Sequence, residues 1–151
     1  MENKDFRVKL DRIELIDFQL NRKPLESSTE VFDFDITIQT KILSKREILI
    51  QVVNVTLKDK ADGEKIFATI SVMVGFLVEN LVEALKFNEA DGSFKMPIEI
   101  DSTIKSIAVS TVRGILFGLL RGTYLHDAIL PIIPIPFPET KENMQSIVGG
   151  K

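Results

Sequence analysis

The first part of the chain alternates apolar and polar residues in the way that is typical of a β-strand with one solvated face. Apolar residues alternate with charged ones from Phe6 to Leu10, and the alternation resumes with Ile13 and Leu15. The break between Leu10 and Ile13 predicts a bulge or a bend. Residues 20–28 contain a proline and paired serines without any periodicity, so we predict a loop there.

A second alternating segment, VFDFDITIQTKIL, predicts another half-buried strand. Its apolar face contains Phe32, Phe34, Ile36, Ile38 and Ile42. The next segment, EILIQVVNVTLK, is apolar on much of both faces, which indicates a central strand or a strand whose second face meets another subunit. Asp62 and Gly63 tolerate positive φ and predict a hairpin into KIFATISVMVGFLV, which again lacks a polar face. These segments predict an antiparallel sheet that needs cover on both faces.

After the sheet, the hydrophobic period changes from two residues to helical spacing. NLVEAL suits a short helix and NEADGSF a loop, and we expect MPIEI to be extended because Pro97 disfavours a helical Met96. Ser102 can cap a helix that begins near Thr103 and ends at Gly122.

The predicted helix is followed by an apolar segment with four prolines between Pro131 and Pro138, which must be extended. The residues after it are polar and include a pair of glycines, so we predict a domain over residues 1–138 and a flexible tail over residues 139–151. The fold class is α+β: a four-stranded antiparallel sheet followed by a crossover loop and a long helix.

Composition excludes several classes of function. The 151 residues include 19 basic and 22 acidic ones, so the net charge of −3 gives no positive field for nucleic acid or an anionic membrane. The chain has no cysteine, which fits a cytoplasmic protein and removes disulfides and thiolate metal sites. The N-terminus is densely charged, and the longest apolar stretch is interrupted by Arg113, so we expect neither a signal peptide nor an integral membrane segment.

The sequence shows no clear arrangement of catalytic residues. His126 is the single histidine, and no cysteine or ordered acidic spacing accompanies it. Asp33 and Asp35 share one face of a strand, but solvated residues opposite an apolar face explain them better than a carboxylate pair does. We therefore predict that the protein is not an enzyme and needs no cofactor or metal.

The apolar content points instead to assembly and binding. Gly114 and Gly118 form a GxxxG pattern on the predicted helix, which suits either helix packing on the sheet or helix packing across an oligomer interface. A sheet that is apolar on both faces, together with this helix, exceeds the apolar surface that monomers leave exposed. Copies of the chain, or a bound apolar ligand, must cover it.

At this point the sequence resembles the SecB family of bacterial export chaperones. VKLDRIELIDFQLN is similar to the first strand of that family, FDFDITIQT to the second, and the hairpin from Glu47 to Leu77 to the third and fourth. The most specific stretch is LLRGTYLHDAILPIIPIPF. Within it, the family's Arg-Gly-small-aromatic helix ending is similar to Arg121, Gly122, Thr123 and Tyr124. The family's Pro-apolar-Asn-Phe segment is similar to Pro134, Ile135, Pro136 and Phe137.

The resemblance, which covers roughly residues 6–138, implies a SecB-like fold that forms a homodimer or homotetramer. It also implies that unfolded polypeptides lie in long apolar grooves without any need for ATP. Carried over by position, the candidate groove residues are Phe76, Leu77, Phe87 and Phe94. The resemblance further places Arg121 and Gly122 at the end of the helix, whereas Gly114 and Gly118 are candidate interface residues through their GxxxG pattern.

Departures from the family concern the export ATPase SecA. The family contacts SecA through an acidic patch on the sheet, whose candidate positions in this chain are Asp17, Asn21, Phe67 and Thr69. Asn21 and Thr69 stand where family members typically carry glutamate. Three hypotheses therefore remain: a holdase that delivers precursors for export, a SecB-like chaperone dedicated to one partner such as an antitoxin, and an oligomer that carries an apolar ligand.

Overall fold

The computed structural model describes residues 7–23 and 31–132, which form one sheet and one long helix. The elements are β1 (Val8–Leu20), β2 (Phe32–Leu43), a 3-10 turn (Ser44–Arg46), β3 (Ile48–Asp59), β4 (Ile66–Val78), α1 (Leu81–Ala84) and α2 (Ile98–Leu120). The strand order is β1-β4-β3-β2, and all neighbours are antiparallel. The predicted α+β fold is confirmed, with β1 and β2 as the edge strands.

Two bulges in β1 keep the apolar side chains of Leu10, Ile13, Leu15 and Phe18 on one face. The register with β4 shifts by one residue before Arg12 and again before Asp17. The first shift confirms the predicted bulge, and the second was not predicted. Because each bulge takes up one extra residue, Leu10 and Ile13 lie on the same face although they are not an even number of residues apart.

Helix α2 packs on one face of the sheet, which we call the inner face; the opposite one is the outer face. Inner-face side chains of the central strands, such as Leu49, Val53 and Val72, are fully buried. Facing them is a stripe of α2 that consists of Ile100, Ile104, Ala108, Val112, Leu116 and Leu120. The core therefore lies between the two central strands and this stripe.

The start of α2 differs from the prediction. Residues 98–100, part of the MPIEI segment that we expected to be extended, form the first turn of the helix, so Ser102 lies inside the helix and does not cap it. Pro97 is the N-cap residue with φ −58° and ψ 139°, so the restriction that a proline imposes falls on the residue before it, outside the helix. Glu99 and Asp101 place negative charge in the first turn, where it interacts favourably with the helix dipole.

The other predicted boundaries agree better. Helix α2 ends at Leu120, and Gly122 has a left-handed φ of 79° just beyond it. The short helix within NLVEAL is present as α1. The β3–β4 hairpin is closed by a hydrogen bond from the Lys65 N–H to the Asp62 carbonyl, although Gly63 does not use a positive φ.

After α2 the chain turns back along the helix. The Arg113 guanidinium donates hydrogen bonds from Nε to the Leu130 carbonyl at 2.9 Å and from Nη2 to the Pro131 carbonyl at 3.0 Å. The rest of the predicted extended segment, residues 133–138, and the predicted tail, residues 139–151, lie outside the described residues.

A buried polar pair interrupts the apolar inner face. The Thr40 Oγ1 donates a hydrogen bond to the Gln51 Oε1 at 3.0 Å, and the two residues are 7% and 0% exposed. The Gln51 Nε2 is buried without a hydrogen-bond partner. Since a buried unsatisfied donor costs about 1–3 kcal/mol, the pair lowers the stability of the protomer.

We therefore expect Thr40→Val combined with Gln51→Leu to raise the free energy of unfolding by about 1–3 kcal/mol, because both polar partners are removed together. Gln51→Leu alone should gain less, since it leaves the Thr40 hydroxyl buried without its acceptor. Urea denaturation of the three proteins measures the difference. A double variant that is less stable than the wild type would show that the Gln51 amide is satisfied, for example by a buried water.

Candidate functional site

Strand β1 presents an apolar stripe on the inner face, here called the β1 stripe. Leu10, Ile13 and Leu15 are 44–45% exposed, whereas Val72 and Val74 beside them in β4 are fully buried. The difference arises because α2 packs mainly over β3 and β4, the two central strands. Apolar side chains in this position need cover from outside the described part of the protomer.

The face of α2 that points away from the sheet combines small residues with two large apolar ones. Its exposed residues include Thr103, Ser106, Ile107, Ser110, Gly114, Phe117, Gly118 and Arg121. A Cβ atom added at Gly114 or Gly118 would meet no atom within 4 Å. The two glycines therefore do not serve packing on the sheet, and their role in packing across an oligomer interface stays a prediction.

The Arg121 guanidinium lies over the Phe117 ring, 5.4 Å from its centroid, so the arginine stem covers part of this aromatic side chain. Helix α2 is also the one helix in the described residues that is long and apolar enough, by length and composition, to cross a bilayer. Its buried stripe packs on the sheet.

At the opposite edge of the sheet, no strand within the described residues pairs with the outward backbone groups of β2. Strand β2 pairs with β3 without a register shift, so its peptide groups alternate between β3 and the free edge. The Phe34 N–H faces the free edge, since it donates to the Asp33 carboxylate at 3.1 Å. By the same alternation the N–H groups of Ile36 and Ile38 also point away from the sheet.

Half-buried apolar side chains lie directly beside these backbone groups. Phe34 and Ile36 are on the inner face of β2 and pack against the margin of the core. We call these two side chains and the free edge of β2 the β2 edge surface. An extended polypeptide can add to such an edge through main-chain hydrogen bonds and place every second side chain against the apolar residues.

The four predicted groove residues do not lie together. Phe76 and Phe87 are 1% and 7% exposed and belong to the core, and Phe94 is half-buried at its margin. Leu77 lies on the outer face, because neighbouring residues of a strand point to opposite faces. Their role in binding stays a prediction; of the three inner residues, Phe94 retains the most accessible surface.

The four predicted SecA-contact residues also separate. Asp17 and Thr69 lie on the outer face, near each other on β1 and β4. Phe67 is 2% exposed, because a bulge between β3 and β4 turns it toward the core. There its ring packs edge-on against Phe32 at 5.9 Å and Tyr124 at 6.2 Å. A contact with SecA through these positions stays a prediction.

The residues after α2 fasten the end of the helix to the sheet. Beyond Leu120, the Thr123 hydroxyl donates to the Leu120 carbonyl at 2.6 Å. The Tyr124 hydroxyl donates to the Asn21 carbonyl at 2.8 Å, and burial raises the pKa of that hydroxyl. The Asn21 side chain is also engaged, since its Nδ2 donates to the Ile66 carbonyl at 2.7 Å.

The charged groups considered for catalysis have structural partners. Lys58 Nζ lies 2.7 Å from the Asp35 carboxylate and 4.0 Å from that of Asp33, and the hydrogen bond to Asp35 raises the pKa of Lys58. His126 is exposed, with Nδ1 3.0 Å from the Thr123 carbonyl oxygen. Within residues 7–23 and 31–132, no group of three or more histidine, aspartate or glutamate residues could hold a metal ion.

Sequence reasoning missed the β2 edge surface. The alternation in FDFDITIQT identified the apolar face of this strand, but alternation does not show which strand lies at an edge. The charges of Asp33 and Asp35 were the available signal, because edge strands often carry charged side chains that discourage pairing with other chains.

Comparison with known proteins supports this architecture. A solved structure of the SecB-like chaperone Rv1957 from Mycobacterium tuberculosis, in complex with a ChAD peptide from the HigA1 antitoxin, is similar with a TM-score of 0.58. The sequences are 14% identical, and the match covers 87% of this chain and 94% of that chain. No protein-family model and no curated protein matches this chain. The chain therefore has a SecB-like fold, as the sequence resemblance implied.

Proposed function

We propose that this protein is an ATP-independent chaperone that holds extended, unfolded polypeptide and has no catalytic role. The observation that carries the proposal is the β2 edge surface, where outward N–H groups lie beside the half-buried Phe34 and Ile36. Main-chain pairing recognises any extended segment, and the apolar side chains favour unfolded over native clients. The SecB-like fold supports this reading, since the similar mycobacterial protein binds a peptide.

The working form in this proposal is an assembly of copies, a homodimer or a homotetramer. The β1 stripe is apolar, and the exposed face of α2 has two glycines that would let another helix approach closely. Neither surface is covered within the described residues. A closed symmetric assembly would bury them against their equivalents in other copies. The β2 edge surface lies at the opposite edge of the sheet and stays open to clients.

Multi-angle light scattering of the purified protein tests this function, alone and with reduced, carboxymethylated α-lactalbumin as a permanently unfolded client. We expect an oligomer that forms a stable complex with the unfolded client and none with native α-lactalbumin. A monomer that ignores the unfolded client would overturn the proposal and leave the fold without this function.

A chaperone dedicated to one partner is a second candidate, favoured over export delivery by two observations. The similar mycobacterial structure holds a peptide from an antitoxin. Two of the four candidate SecA-contact residues are also engaged in the fold, since Phe67 is buried and the Asn21 side chain binds the Ile66 carbonyl. Calorimetric titration with SecA separates the candidates, because binding at micromolar concentration would favour export.

A further inference from the structure

The outer face of the sheet carries an apolar patch at the end where β2 turns into β3. The patch, here called the outer patch, consists of Ile48, Ile50, Val52, Met73 and Leu77, which neighbour one another across β3 and β4. All five are half-buried, and they are not among the described side chains that form or contact the core. Their packing therefore does not depend on the helix or on the crossover loop.

The rest of the outer face has a different character. Further along the same two strands, the Ser71 hydroxyl donates to the Asn54 Oδ1 at 2.7 Å, and Thr56 pairs with Thr69. Such polar residues are typical of a sheet face that is exposed to solvent. The change to five apolar residues within the same strands indicates that this end of the face meets a partner.

Cations flank the outer patch on both sides. On β1, Lys9 lies opposite Leu77 and Arg12 opposite Gly75; on β2, Lys41 lies opposite Ile50. No ion pair involves Lys9, Arg12 or Lys41 within the described residues. Unpaired cations beside an apolar surface complement a partner that is itself apolar and acidic.

The sign of the charge reverses along the sheet. Glu14, opposite Met73, marks the boundary of the basic end. Beyond it the outer-face charges of the edge strands are Asp17, Asp33 and Asp35, the last bound to Lys58. The basic end is therefore a separate surface from the positions considered for SecA, which lie toward the acidic end.

The width of the patch limits what can occupy it. Strands β1 and β2 are three strand spacings apart, or about 14 Å at about 4.8 Å per spacing. An α-helix with side chains has a diameter of about 10–12 Å, so one helix fits between the two cations of β1 and Lys41 of β2. Its apolar stripe would contact Ile50 and Val52, and acidic residues on its flanks would meet Lys9 and Arg12 on one side and Lys41 on the other.

We infer that the outer patch docks an acidic amphipathic helix of a partner protein, and that this site is distinct from the polypeptide-binding surface. A flat bilayer suits it less well, because the exposed Lys9 and Arg12 would meet the lipid before the half-buried apolar side chains could. A second copy also suits it less well. A twofold axis through the patch would bring the cations of one copy against those of the other.

A synthetic amphipathic peptide with leucines on one helical face and glutamates on both flanks tests the inference, measured by fluorescence anisotropy. We expect it to bind the full-length protein, and its lysine-for-glutamate counterpart to bind at least about tenfold more weakly. Arg12→Glu with Lys41→Glu should lower the affinity roughly tenfold, and Ile50→Thr with Val52→Thr should lower it by a similar factor.

The matched control is Lys60→Glu with Lys65→Glu, which makes the same charge change at exposed positions around the β3–β4 turn and should leave the affinity unchanged. Equal binding of the two peptides, or equal losses in the two charge-reversal variants, would overturn the inference. So would binding of phosphatidylserine vesicles in place of the peptide, or self-association that disappears in the Ile50→Thr variant, since these identify a membrane or a second copy.

Discussion

Leucine in place of both glycines on the exposed face of α2, Gly114→Leu with Gly118→Leu, is expected to break the proposed assembly into smaller species that remain folded. Within the protomer, a Cβ atom at either position meets nothing within 4 Å, so larger side chains cost the fold little. Across an interface, the same side chains would hold two helices apart. We expect the association constant to fall roughly a hundredfold, as measured by sedimentation velocity over a concentration series.

Gly63→Leu is the matched control, because it replaces a glycine that also has open space around its Cβ position but lies in the β3–β4 turn. It should leave the assembly unchanged. Gly114→Ala and Gly118→Ala should instead raise the free energy of unfolding, since alanine stabilises a helix interior by about 0.5–1 kcal/mol relative to glycine. Leucine variants that assemble like the wild type would show that this face of α2 is not the interface.

A charge on the inner face of the free edge strand, Ile36→Lys, is expected to lower the affinity for unfolded client at least about tenfold. The substitution places an ammonium group beside the outward N–H groups of β2 and removes an apolar contact, and inward-pointing charges are a known means of blocking edge pairing. Anisotropy of a labelled, carboxymethylated α-lactalbumin measures the affinity.

Thr37→Lys provides the control for Ile36→Lys, because it introduces the same charge one residue along the same strand on the exposed outer face. Client affinity should stay within about twofold of the wild type in that variant. Ile36→Thr is a second variant at the same site that keeps the β-branched shape, so it should remain folded even if Ile36→Lys does not. If all three variants bind client as the wild type does, the β2 edge surface is not the polypeptide-binding site.

Strands were predictable from this sequence because local pattern determines them. Alternation located β1 and β2, apolar segments on either side of a turn located β3 and β4, and the slip in the alternation between Leu10 and Ile13 indicated the first bulge of β1. The start of α2 was not predictable in the same way. Pro97 excludes helix before it but suits the N-cap position, and the pattern alone does not show on which side of a proline the helix lies.

The binding surfaces were less accessible because they depend on strand order and register. Phe76 and Leu77 are adjacent in sequence, yet one is in the core and the other belongs to the outer patch. The cations Lys9 and Lys41 flank a single patch only because β1 and β2 are the two edges of one sheet. The local sequence pattern does not determine which strands pair or in which register.

The placement of β1 also bears on how the protein folds. Strands β2, β3 and β4 follow one another as a meander of local pairings, whereas β1 pairs with β4 across the whole length of that meander. Closing so long a loop costs entropy before its contacts repay it, so the β1–β4 pairing should form late on the folding pathway. The strand that we expect to join the sheet last is the one whose apolar stripe lacks cover within the described residues. Folding would then end at the step where assembly begins, and the refolding rate should rise with protein concentration.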